Sequence, residues 1–197
     1  LALNFHPPLC LLNHECFITV LFKDSRGNIW AGSEDGGVCR ITFSGMMVKK
    51  AIHISAENGL SANLISSIFE DKEGKIWIGT GEGVNVLLNP LEIETEKPLI
   101  QIYNEKNGLP SNHISCISSD KLGRIWMGTN GDGIIIYRKG ETGEKFISMT
   151  EGLTSRQVVS FVSDKNGNIW AGTNQGVNCI LLDYNGNISR VKKYTKT

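Results

Sequence analysis

The sequence predicts an all-β fold, a succession of four-stranded antiparallel β-propeller blades. Three observations predict it. The phrase D-x-x-G-x-I-W-x-G-[ST] occurs four times, with its tryptophans Trp30, Trp77, Trp126 and Trp170 spaced 47, 49 and 44 residues apart. Each period carries four short apolar runs bounded by turn residues, and no stretch sustains the 3.6-residue periodicity of a helix. Four strands in such a period match one propeller blade, for which about 40 to 50 residues is usual.

The first strand of each unit is an apolar, often β-branched run: "FITVLFK", "LISSIFE", "HISCISS" or "QVVSFVS". Asp24, Asp71, Asp120 and Asp164 follow, each three residues ahead of Gly27, Gly74, Gly123 or Gly167. Aspartate bonds to backbone amides ahead of it and glycine accepts positive φ, so D-x-x-G reverses the chain. The I-W-x-G-T phrase makes the second strand, and "SEDGG", "TGEG", "TNGDG" or "TNQG" makes the next turn. "GVCRI", "GVNVLL", "GIIIY" and "GVNCIL" open third strands, and "KAIHIS", "IQIYN" and "KFISMT" are weaker fourth strands. Approximate blades are 1–50, 51–99, 100–146 and 147–190, with 191–197 starting a further strand. A four-stranded sheet has two faces to cover, so blades stack side by side, and the repeated tryptophan is the wedge between neighbours. Asn85 and Asn178 of the repeated G-V-N are read as structural.

Connectors "ENGLSAN", "KNGLPSN" and "TEGLTSR" precede three of the first strands. With that strand innermost, the connectors and the "GT..G" loops open on one face of the disc and the D-x-x-G turns on the other. Loops are where binding residues concentrate. The ligand-binding candidates are therefore Asn63, Asn112, His113, Arg156 and Gln157 after the connectors. The "GT..G" loops add Glu34, Asp35, Glu82, Asn130, Asp132, Asn174 and Gln175.

Twenty basic residues balance twenty acidic ones. Neither sign clusters along the chain beyond runs such as Lys192-Lys193, which argues against nucleic acid or an anionic membrane as partner. The apolar runs are too short to cross a bilayer. Five cysteines show no metal-type C-x-x-C spacing, and Cys39, Cys116 and Cys179 fall in strand-like runs as small hydrophobes. The four histidines share no metal spacing, and "GTGEGV" lacks the helix and lysine of a phosphate loop. No nucleophile elbow or calcium loop is present, so the sequence points to no catalytic residue, metal or cofactor.

N-G-L-x-x-N, then D-x-x-G-x-I-W-x-G-T, then G-V-N resembles the two-component regulator propeller repeat over about residues 17–197. That family forms the extracytoplasmic sensor region of hybrid sensor kinases of Bacteroidetes. The resemblance implies four blades as an arc of a larger, seven-bladed ring, in the periplasm, recognising an oligosaccharide and signalling to a kinase outside this chain. It also implies that the remaining blades, or a second copy, cover the two ends of the arc. Residues 1–16 depart from the pattern, since no N-G-L precedes "FITVLFKD". A non-enzymatic protein-binding scaffold is the alternative reading, and a propeller lyase or dehydrogenase a third.

Overall fold

The computed structural model describes residues 17–90, 93, 98–140 and 143–196. These fold into four antiparallel four-stranded sheets, each with its strands in chain order. The first sheet holds β1 (Ile18–Lys23), β2 (Ile29–Ser33), β3 (Val38–Ser44) and β4 (Met47–Ile54). The second holds β5 (Ile65–Glu70), β6 (Ile76–Thr80), β7 (Gly83–Leu87) and β8 (Ile100–Tyr103). The third holds β9 (Ile114–Ser119), β10 (Ile125–Thr129), β11 (Ile134–Gly140) and β12 (Gly143–Met149). The fourth holds β13 (Val158–Ser163), β14 (Ile169–Thr173), β15 (Gly176–Leu182) and β16 (Ile188–Tyr194). First strands of successive sheets lie against one another, β1 on β5, β5 on β9 and β9 on β13, so they are innermost as expected.

Each D-x-x-G turn closes as its residues require. Asp24, Asp71, Asp120 and Asp164 accept on Oδ1 the amides two and four residues ahead. Gly27, Gly74, Gly123 and Gly167 sit at φ of 86°, 78°, 80° and 89°. The second carboxylate oxygen accepts the indole N–H of the tryptophan six residues on, at 3.0, 2.8, 2.8 and 3.1 Å. One side chain therefore fixes both the turn and the wedge. The sequence reading assigned these jobs to two residues separately.

Packing repeats with the sequence. Trp30 clusters with Ile65, Ile68 and Ile76 of the second sheet, Trp77 with Ile114, Ile117 and Ile125 of the third, and Trp126 with Val158, Ile169 and Ile180 of the fourth. Each buried indole removes about 150–250 Å² from water. Two residues beyond each of these tryptophans a glycine admits the next sheet. A Cβ on Gly32 would stand 2.6 Å from Ile65 Cγ2, and one on Gly128 2.8 Å from Val158 Cγ1. Trp170 differs: no described sheet follows it, so it is only partly buried and stacks on Tyr194 at 5.7 Å.

The innermost strands carry a bulge at their second residue, so two residues face one across the pair. That turns the side chains of Thr19, Ser66 and Ser115 sideways, and their hydroxyls donate to the carbonyls of Ile65, Ile114 and Val158 in the following sheet. The fourth equivalent is Val159, half exposed and without a hydroxyl.

Two expectations are corrected. The boundaries at 50, 146 and 190 fall inside β4, β12 and β16, and the boundary at 99 falls just before β8. The strand expected to start at 191 runs from Ile188 to Tyr194 and is the fourth strand of the fourth sheet. The fourth strand is an edge with one exposed side, so its sequence lacks the apolar alternation that marks the others. The departure at residues 1–16, with Cys10 and Cys16, lies outside the described residues. Cys39 and Cys179 are buried, and burial pushes the Cys116 thiol up to about 11, so all three are spent on packing.

Candidate functional site

The face that carries the connectors and the "GT..G" loops, the mouth of the stack, is assembled from two loop sets tied by backbone bonds. Gly37, Gly83 and Gly133 of the "GT..G" loops donate to Asn63 O, Asn112 O and Arg156 O of the next connectors, at 3.0, 2.9 and 2.8 Å. Three of the four loops are also anchored just ahead of their own innermost strands, since Glu34, Asn130 and Asn174 donate backbone N–H to the carbonyls of Phe17, His113 and Gln157. The hydroxyls of Ser33, Thr80, Thr129 and Thr173 close the loops from within by donating to the carbonyl of the terminal glycine. The threonine of the repeated phrase therefore shapes the loop rather than facing a ligand.

A groove of about 460 Å³ crosses this face over the second, third and fourth sheets. Leu64, Val158 and Val159 give it apolar ground, while His113, Asn130 and Gln157 supply polar groups and Ser66 and Ser115 lie along its length. Asn130 and Gln157 form an isolated antiparallel bridge, and Asn174 Nδ2 donates to Gln157 Oε1 at 2.7 Å. Four of the sequence candidates, His113, Asn130, Gln157 and Asn174, are thus brought together.

The others stand apart. Asn63 Oδ1 accepts from Ala56 N and Asn112 Oδ1 from Glu105 N, both at 2.8 Å, so these side chains hold the connector. Arg156 turns to Glu151 at 3.4 Å, and Asp132 accepts from Ser111 Oγ at 2.7 Å. Glu34, Asp35, Glu82 and Gln175 are exposed on the rim. Sequence reasoning missed Leu64, an apolar residue just ahead of β5, and also Ser66, Ser115 and Val159, whose direction is set by the bulge and not by the alternation. A signal existed: a hydroxyl stands five residues before the turn aspartate in three of the four units.

The family model for the two component regulator propeller matches four times, over residues 12–35, 59–82, 108–131 and 152–175. The chain belongs to this repeat family. Each of the matches beginning at 59, 108 and 152 runs from the N-G-L or E-G-L connector, through the innermost strand and the tryptophan, to the "GT..G" loop. The regulator-propeller repeat therefore spans the segments that build the mouth.

No curated protein matches the chain. Among solved structures it is similar to the extracellular domain described for the hybrid two component system BT3049 of B. thetaiotaomicron, with 29% identity and a TM-score of 0.71. That match covers 91% of this chain and 23% of the other. The corresponding domain of BT4673 from the same organism matches at 21% identity and TM-score 0.53, over 92% of this chain and 31% of that one. Virginiamycin B lyase of Staphylococcus aureus, at 16% identity and TM-score 0.60 over 89% of this chain and 54% of that one, shares the fold alone. The chain thus spans about a quarter to a third of the length of these two extracellular domains.

Regulator-propeller units differ where one exchange makes another necessary. In the second and fourth sheets the G-V-N asparagine pins the connector: Asn85 accepts from Ser61 N and donates to Ser61 Oγ, both at 2.8 Å, and Asn178 does the same with Thr154, both at 2.9 Å. In the third, Pro110 takes the serine position and Ile135 the asparagine position. Proline offers no N–H, so the buried acceptor would be left unpaired, and an isoleucine fills the site instead. Among the described residues no group of three His, Cys, Asp or Glu is placed to hold a metal, and no helix is long and apolar enough to cross a membrane.

Proposed function

We propose that this chain is part of the ligand-sensing, periplasmic region of a hybrid two-component sensor, and that it recognises an oligosaccharide at the mouth groove. The observation that carries the reading is the convergence of His113, Asn130, Gln157 and Asn174, from two sheets, beside the apolar Leu64 and Val159. Sugars present hydroxyls around an apolar ring face, and side-chain amides over an apolar patch complement both. A site whose polar groups are left unpaired by the wrong ligand discriminates strongly. The similarity to extracellular domains of hybrid two component systems supports the sensing role and an extracytoplasmic place. Occupancy would pass to a kinase elsewhere in the parent protein.

Replacement of His113 and Gln157 by alanine tests this. Both are peripheral to the cores, so the melting temperature should stay within about 2 °C of the parent, the change usual for surface positions. Binding to the best ligand on a glycan array should fall about tenfold, as expected when hydrogen-bonding contacts worth about 1.4 kcal/mol are lost. Unchanged glycan binding would move the site elsewhere.

A protein-contact role is favoured by a different observation. The outer face of the fourth sheet leaves Val159, Val162 and Tyr194 exposed beside the partly buried Trp170. Further blades of the parent ring, or a second copy, are the partners that would cover it.

A further inference from the structure

The even charge count of the sequence conceals a segregation that the fold creates. The "GT..G" loops hold Glu34, Asp35, Glu82 and Asp132 and no lysine or arginine. The connectors beside them add Glu57, Glu105 and Glu151 against Lys106 and Arg156, and Arg156 is already paired with Glu151. Lys196 follows the end of β16 on the same side. The opposite face is close to balanced: Arg26, Lys72, Lys75, Lys121, Arg124 and Lys165 stand in the D-x-x-G turns, against the four turn aspartates and Glu73, with the Glu70 carboxylate bonded to Ser25 there. Strands that run from one face to the other deliver every "GT..G" loop to one end and every D-x-x-G turn to the other. Scattered charges thereby become a negative mouth. The expectation that neither sign clusters along the chain stands, and the grouping arises only when the strands bring separate loops together.

The groove lining holds no aspartate or glutamate, and no lysine or arginine, so its charge environment is set by the loops around it. A sulfate or carboxylate entering the groove would lose water with no lysine or arginine in the lining to pair with, and the loop carboxylates would repel it most at low salt, where screening is weak. Gly81 lines the groove and Glu82 follows it. Asn130 lines it two residues before Asp132. An ammonium group on a sugar would meet these same carboxylates favourably.

We propose that the mouth selects by charge, accepting neutral or amine-bearing oligosaccharides and rejecting sulfated or uronate-bearing ones. The inference rests on the oligosaccharide reading above and names the class of sugar. The test uses the 197-residue chain on a glycan array containing neutral, amine-bearing, sulfated and uronate-bearing oligosaccharides, followed by calorimetry on the best neutral and amine-bearing ligands at 20 and 200 mM NaCl. Bound glycans should be neutral or amine-bearing, and the amine-bearing ones should weaken at least threefold at the higher salt. The triple variant E34Q/D35N/E82Q changes side chains that make no hydrogen bond or ion pair with other described residues. It should keep neutral-sugar affinity within twofold and lose the preference for the amine. A sulfated or uronate-bearing glycan bound as tightly as its neutral counterpart overturns the charge selection while leaving the sugar reading standing. An array with no glycan bound overturns the sugar reading, and this inference with it.

Discussion

At Asp120, 4% exposed, one carboxylate accepts the amides of Leu122 and Arg124, the Arg124 Nε and the Trp126 indole N–H. Asp120→Ala would leave the indole and both amides unpaired inside the protein and strand a guanidinium. Urea unfolding should show a loss of about 2–4 kcal/mol. Two of the equivalent carboxylates, Asp24 and Asp164, make the fold acid-sensitive. Asp24 lies below its ordinary value of 3.8, since burial pushes it up but the Trp30 indole, the Asn28 side chain and two turn amides outweigh burial. Asp164 is held at about 2, first by the Asn168 side chain and then by the Trp170 indole. Depressed folded values mean that the unfolded chain binds more protons below 3.8. The stabilisation is therefore complete above that value and is lost as pH falls toward 2. Tryptophan fluorescence should report a falling urea midpoint across that window, and a flat midpoint would deny the aspartate–indole link its weight. The Pro110/Ile135 exchange is also testable. Ile135→Asn alone buries an unpaired amide and should destabilise, while the double change with Pro110→Ser should recover at least about 1 kcal/mol in a mutant cycle. Additive losses would show that the two positions are uncoupled.

Among elements, the second strand of each unit decides how closely two sheets approach. Gly128→Ala places a methyl 2.8 Å from Val158 Cγ1 and 2.5 Å from Cys116 Sγ. Overpacking at such a contact costs about 1–3 kcal/mol. Gly172 occupies the same position in the fourth sheet, where the nearest obstacle is the Ser160 hydroxyl of its own sheet. Gly172→Ala should therefore cost less, and equal losses by thermal unfolding would show that sheet-to-sheet contact is not what the glycine serves. Much of this element logic was legible in the sequence. The turns, the strand order and the wedge follow from local rules acting on Asp, Gly and Trp at fixed spacing. The sideways hydroxyls of Thr19, Ser66 and Ser115 were not, because a bulge breaks the two-residue alternation from which a strand's facing is read.

For the whole molecule, a stack of equivalent sheets gains stability mainly from nearest neighbours. The first three indoles each have a following sheet over them, whereas among the described residues no sheet follows the fourth, which stacks on Tyr194. Hydrogen exchange of the 197-residue chain should therefore be faster in β13 and β14 than in β9 and β10, which are covered on both flanks. Equal protection would indicate that another surface covers the fourth sheet in solution. Of the candidate site, the face was legible and its composition only in part. Asn63 and Asn112 looked like ligand contacts because they are polar loop residues after a repeated motif, yet each is consumed by an amide seven residues before it.

By itself the sequence determined the all-β blade repeat and its turns, because these arise from interactions within about ten residues, and it marked the tryptophan wedges by their fourfold recurrence. Tertiary structure alone decided which loop residues meet across sheets, where each bulge aims its hydroxyl and on which face the charges gather. Those depend on how one sheet is laid against the next, and residues more than forty positions apart in the chain become neighbours only once the stack has formed.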